Sequence, residues 1–119
     1  MDKLDIIFNK QKEFQKKMNI FKLIKNEKDK QLYINQNILA IMEEVIEALR
    51  KTPYKNPNYV KFGWKKNQLW DIEKFKIEII DIFHFLINLC LIVNISSEDF
   101  FNIFCEKNNI NTERQKNNY

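Results

Sequence analysis

The chain has 119 residues, the length of one domain, and its 45% hydrophobic content is enough to build a core and excludes global disorder. With 20 basic and 16 acidic residues the net charge is +4, a mild excess without the clear basic face of a nucleic-acid binder, so no nucleic-acid partner is expected. A single glycine and two prolines disfavour sheets and tight turns and point to helices.

The N-terminal "MDKLDIIFNK" lacks a signal-peptide layout. A first helix is predicted from about Lys3 to Phe21. At about 100° per residue, Leu4, Ile7, Phe8, Phe14 and Met18 form its apolar face, with Gln11 and Gln15 projecting from the middle of it. A buried amide needs partners for its donors and its acceptor. Neighbouring backbone would satisfy these two, or else they read a polar ligand such as the edge of a base. A second helix is predicted from about Lys30 to Lys51, with Ile38, Ile41, Met42, Val45 and Leu49 on one face and Glu43, Glu44 and Glu47 opposite. Taken alone, that acidic face reads as solvated. "TPYKNPNY" ends the helix, because each proline restricts the residue before it and cannot continue the ladder. Thr52 to Leu69 is then a long loop, and its aromatics argue against disorder.

A third helix is predicted from about Asp71 to Val93. From Ile77 onward it is apolar almost all the way round, which predicts burial on most sides. Its polar residues Glu78, Asp81, His84 and Asn88 fall on one narrow stripe and make a membrane span unexpected. Removing an ionised carboxylate from water costs several kcal/mol even after relaxation, so Glu78 and Asp81 need compensation. Neither the acidic face of the second helix nor the interior of the third supplies a lysine or arginine. A hard divalent cation such as Mg²⁺ would serve, since it takes oxygen ligands. Glu44/Glu47 and Glu78/Asp81 both stand at i, i+3 spacing, one turn apart on a face. Facing each other across antiparallel helices, they would form a four-carboxylate cage of the kind built inside helical bundles. His84 is either a hydrogen-bonded interior histidine or a general base.

"SSED" then offers Ser96 as an N-cap with Asp99 three residues on, opening a fourth helix that ends near Lys107. From about residue 108 the polar tail "NNINTERQKNNY" is expected to be flexible. Cys90 and Cys105 read as core thiols, which suits a reducing, cytoplasmic compartment. The expected fold class is all-α: one domain over residues 1–119, a four-to-five-helix bundle. Four short helices leave more apolar surface than one small bundle buries, so dimerisation would complete it.

Glu43-Glu44-x-x-Glu47 followed by Glu78-x-x-Asp81 resembles the EExxE…ExxD signature of the all-α NTP pyrophosphatase superfamily, the MazG-like proteins and dimeric dUTPases. "DIFHFLINLCLIVNISSEDFFNIFCEKNNINTERQKNNY" is similar to the C-terminal half of the dimeric dUTPases, where D-x-x-H-F-x-x-N precedes a short acidic helix and a K-N-x-x-N-x-x-R-Q-x-x-x-Y tail. "FNKQKEFQKKM" is similar to that family's opening helix. The resemblance implies a homodimeric, Mg²⁺-dependent enzyme with two or more ions, Mn²⁺ being able to substitute, that hydrolyses dUTP to dUMP and pyrophosphate. It implies Glu44, Glu47, Glu78 and Asp81 as metal ligands, with Glu43 as a further ligand or as the group that positions the attacking water. It also implies phosphate contacts from Lys107, Asn111, Arg114 and Tyr119, and base contacts from Gln11, Gln15 and Asn88. Phe62 and Trp64 would stack on the base; the alternative is that, with Trp70, they simply anchor the loop. The chain departs from the family at "KFGWKK" and at Gln15, where Asp or Asn is expected. Both departures touch the base and leave the metal ligands intact. Two other functions remain open at this point: a related pyrophosphatase acting on dCTP or a damaged nucleotide, and a helical interaction module holding a structural ion.

Overall fold

The computed structural model describes residues 2–117 and is all-α. Among these residues there are five helices and no strand: α1 (Lys3–Lys17), α2 (Ile20–Leu23), α3 (Glu27–Leu49), α4 (Ile72–Ile92) and α5 (Ser97–Lys116). They pack as two compact units. One is Lys25–Leu86, and the other joins the chain up to Ile24 with the chain from Ile87 onward.

Local chemistry sets the helix ends. The Asp2 carboxylate accepts the Asp5 amide at 2.9 Å to start α1. The first helix does not reach Phe21 unbroken: Asn19 adopts the left-handed conformation (φ 57°), one that asparagine tolerates, and the single turn of α2 follows. α3 begins before the expected Lys30, because the Asn26 side chain caps the Asp29 amide at 2.8 Å. α4 ends in a left-handed Asn94 (φ 61°), with the Ile95 amide reaching back to the Cys90 carbonyl at 2.8 Å. The predicted Ser96–Asp99 capping box is present, the hydroxyl accepting the Asp99 amide and the carboxylate accepting the Ser96 amide. α5 then runs past the expected end at Lys107 to Lys116, since no proline or glycine stops it. Phe101–Asn117 are exposed throughout.

In the unit holding both chain ends, Phe8 and Ile87 are buried, and the Phe8 ring leans on Phe100 with centroids 5.7 Å apart. Gln11, Gln15 and Asn88 are buried beside them. The Ser97 hydroxyl donates to the Asp5 carboxylate and holds its pKa below the ordinary value.

In Lys25–Leu86 the long loop is closed by polar contacts. Asn56 is buried; its amide donates to the Lys66 carbonyl at 2.9 Å, and its side-chain oxygen accepts the Asn58 amide at 3.0 Å. The Lys55 carbonyl accepts from Trp64 and Lys65, and the Asp71 amide reaches the Lys51 carbonyl at 2.8 Å. At Gly63 the backbone passes so close that a β-carbon would lie 2.5 Å from the Pro57 nitrogen and 2.7 Å from the Lys55 oxygen. Only glycine fits there.

Two burial expectations are overturned. Of the predicted apolar face of α3, Ile38, Met42, Val45 and Leu49 are exposed and Ile41 is half-buried, while Glu44 and Glu47 are half-buried as well. Within α4, Ile77, Ile80, Phe83 and Leu86 are also exposed, so the helix is not buried on most sides. On α1 the two glutamines are buried while Ile7, Phe14 and Met18 face out. Among the described residues no single helix is long and apolar enough to cross a membrane.

Candidate functional site

The acidic residues of α3 and of the first half of α4 meet within Lys25–Leu86. Glu44, Glu78 and Asp81 each offer a carboxylate oxygen, all within 4.8 Å of one another, in half-buried positions. The i, i+3 spacing of Glu78 and Asp81 stacks them one turn apart, and Glu44 approaches from α3. The cluster opens into a cleft of about 930 Å³ that Glu43, Glu47 and Arg50 also line.

The field inside this cleft is strongly negative. The Glu44 pKa is raised from its ordinary 4.5 to about 7, first because a hydrogen bond with Glu78 favours its protonated form, then through partial desolvation and the charges of Glu78, Asp81 and Glu47. Two carboxyls this close repel when both are ionised, which favours the shared proton. Three hard oxygen donors at this spacing fit a small divalent cation such as Mg²⁺. They do not by themselves choose between Mg²⁺ and Mn²⁺.

Of the four carboxylates expected in the cage, three come together and Glu47 stands slightly apart. Its oxygen lies 3.3 Å from Nη1 of Arg50. The expectation that this acidic face has no cation of its own is therefore incorrect. Arg50 sits three residues after Glu47 on the same face, a spacing that could have been read directly from the sequence. Glu43 is exposed at the cleft. His84 is exposed, not interior, and its Nδ1 lies 3.8 Å from the Asp81 carboxylate.

The residues expected at the base fall into two places. Gln11 and Asn88 belong to the unit of the chain ends, where the Gln11 amide donates to the Asn88 oxygen at 2.8 Å, and Gln15 is buried in the same unit. Phe62 and Trp64 belong to the loop of the other unit and are 80% and 67% exposed, so they do not anchor it. Lys61 stands over the Phe62 ring at 5.5 Å and Lys55 over Trp64 at 5.2 Å. Trp70 is also exposed, but its ring meets Phe75 edge-on at 5.5 Å. Lys107, Asn111 and Arg114 lie along α5, not on an irregular tail. Tyr119 lies outside the described residues.

The fold is thus all-helical, with a carboxylate cluster drawn from two helices whose oxygens could hold a metal ion. Comparison with known proteins defines it further: the family described as dUTPase matches residues 3–99, and the chain belongs to that family. The match includes every carboxylate of the cleft and stops short of Lys107, Asn111 and Arg114. The chain is also similar to the dCTP pyrophosphatase of Enterobacteria phage T4, with 39% identity over 46 residues, which is 39% of this chain and 27% of that protein. It thus spans about a quarter of that relative's length. No solved structure matches significantly.

Proposed function

We propose that this chain is a Mg²⁺-dependent nucleoside triphosphate pyrophosphatase that hydrolyses dUTP to dUMP and pyrophosphate. The observation that carries this reading is the Glu44–Glu78–Asp81 cluster at the floor of an acidic cleft, in a chain of the dUTPase family. Glu44, Glu78 and Asp81 would hold the metal, joined by Glu47 once Arg50 releases it. Two or more bound ions would neutralise the triphosphate and make the attacking water more acidic. Water oxygen attacks the α-phosphorus, the bond from that phosphorus to the bridging oxygen breaks, and pyrophosphate leaves with the electron pair. Glu43, exposed at the cleft, would orient the water and take its proton. To serve as a ligand, Glu44 would give up the proton that its neighbours otherwise stabilise.

Base recognition by Gln11, Gln15, Asn88, Phe62 and Trp64, and phosphate contacts from Lys107, Asn111, Arg114 and Tyr119, belong to the same proposal and rest on the family resemblance. So does a homodimer; Met42, Val45, Ile77, Ile80 and Phe83 of α3 and α4 are exposed, and a second copy would cover such side chains. A cytoplasmic location agrees with the two free cysteines.

A second substrate, dCTP, is suggested by the similarity to the phage T4 dCTP pyrophosphatase. Pyrophosphate release measured with Mg²⁺ across dUTP, dCTP, dTTP and dATP decides between them. Release from dUTP in clear preference is the expected result. Preference for dCTP would replace the substrate and keep the chemistry, and no release from any nucleotide would overturn both.

A further inference from the structure

We propose that Arg50 is a charge-exchange residue, paired with Glu47 while the cleft lacks metal and transferred to a phosphate of the nucleotide once a cation has taken Glu47. This rests on the pyrophosphatase reading above and adds a residue to it.

The cleft is lined by five acids, Glu43, Glu44, Glu47, Glu78 and Asp81, and by one cation, Arg50. A nucleoside triphosphate carries roughly four negative charges, and two sets of like charge in one cleft repel unless positive charge lies between them. Metal supplies most of it, and Arg50 is the basic side chain already in place. Its backbone is fixed as the residue that caps α3, with its amide held by the Ile46 carbonyl at 3.0 Å. Its side chain is loosely held, because the ion pair with Glu47 is open to water on both sides, with 58% and 43% of the two side chains exposed. Exposed pairs of this kind contribute little and exchange readily. Guanidinium binds phosphate in a fork that a lysine cannot reproduce. Glu47 and a phosphate thus compete for Arg50, and Arg50 and a metal ion compete for Glu47. Metal and nucleotide binding are then coupled through one side chain, each freeing the partner that the other needs.

The coupling predicts opposite effects in one variant. In Arg50→Gln, Mg²⁺ alone, measured by titration calorimetry on the full chain, binds several-fold more tightly than in wild type, because Glu47 is no longer occupied and a repelling charge is gone. The same variant binds a non-hydrolysable α,β-imido dUTP in saturating Mg²⁺ about tenfold more weakly, the loss typical of one charge-assisted contact. Arg50→Lys recovers part of the nucleotide affinity. Nucleotide affinity within about twofold of wild type in a folded Arg50→Gln protein overturns the exchange. So does a fall in Mg²⁺ affinity, which would mean that the pair only supports the helix end. Wild-type protein that turns over nucleotide while Arg50→Gln is unchanged sinks the exchange alone. Wild-type protein that releases pyrophosphate from no nucleotide sinks the functional reading, and the exchange with it.

Discussion

Glu44 is the residue on which most of the site's behaviour turns. Its carboxyl is the acid of α3 that meets both acids of α4, and the price of that position is a pKa near 7. Unfolded, it titrates near its ordinary 4.5. Between those values the folded chain holds a proton that the unfolded chain has lost, so this group favours folding at low pH and works against it as pH rises through 7. Mg²⁺ requires the deprotonated form, so metal binding should weaken as pH falls below about 7. The thermal midpoint followed by circular dichroism should therefore rise more on adding Mg²⁺ at pH 8 than at pH 5.5. An equal rise at both would remove Glu44 from the ligand set. Glu44→Gln and Asp81→Asn should each lower turnover by at least about 100-fold while leaving helical content near wild type. Full activity in either would refute the cluster as the metal site. That Glu44, Glu78 and Asp81 come together was legible from spacing, because i, i+3 pairs share a helix face whatever the tertiary structure, whereas Glu47 pairs with Arg50 instead. Arg50 obeys the same rule, standing three residues after Glu47 and pairing with it.

At the scale of elements, caps were legible and faces were not. Ser96 and Asp99 announce the start of α5 because the capping box is made from four consecutive residues. Asn19 and Asn26 act just as locally, but asparagine is common in this chain and only some of its copies adopt a special conformation. The covering of the α3 apolar face was less legible still. Helical periodicity identifies a stripe without saying what covers it, and here Met42 and Val45 are exposed while Glu44 is half-buried. The order of the long loop was foreseen from its aromatics, yet its physical basis is different: a buried asparagine and one close backbone passage. Gly63→Ala should destabilise the protein by about 2 kcal/mol, because the added carbon meets backbone atoms that have no side-chain freedom to yield. Denaturant midpoints of the two proteins compared at equal slope would measure it, and coincident midpoints would mean that the loop gives way at no cost.

For the whole molecule, the all-α class followed from composition, and the family followed from the acidic signature together with its surroundings. What composition withheld was how the apolar surface is divided between the chain and a partner. Exposed Met42, Ile80 and Phe83 are explained if a second copy covers them. Sedimentation should then give a dimer, and Phe83→Asp should shift it toward monomer by placing a charge in an apolar contact. A monomer at micromolar wild-type concentration would exclude that account.

α5 carries one more consequence. Among the described residues none from Phe101 to Asn117 is buried, so the C-terminal turns of α5 are held by their own backbone ladder and by side-chain links such as Thr112 to the Asn108 carbonyl at 3.0 Å. A helix without tertiary support frays from its free end. Trypsin should therefore cut first after Lys107, Arg114 or Lys116, well before it reaches the capped start of the same helix. If those side chains engage the nucleotide's phosphates, substrate analogue and Mg²⁺ together should delay these cuts while leaving others unchanged. The order in which fragments appear on a gel would then report occupancy of the site without any catalytic assay.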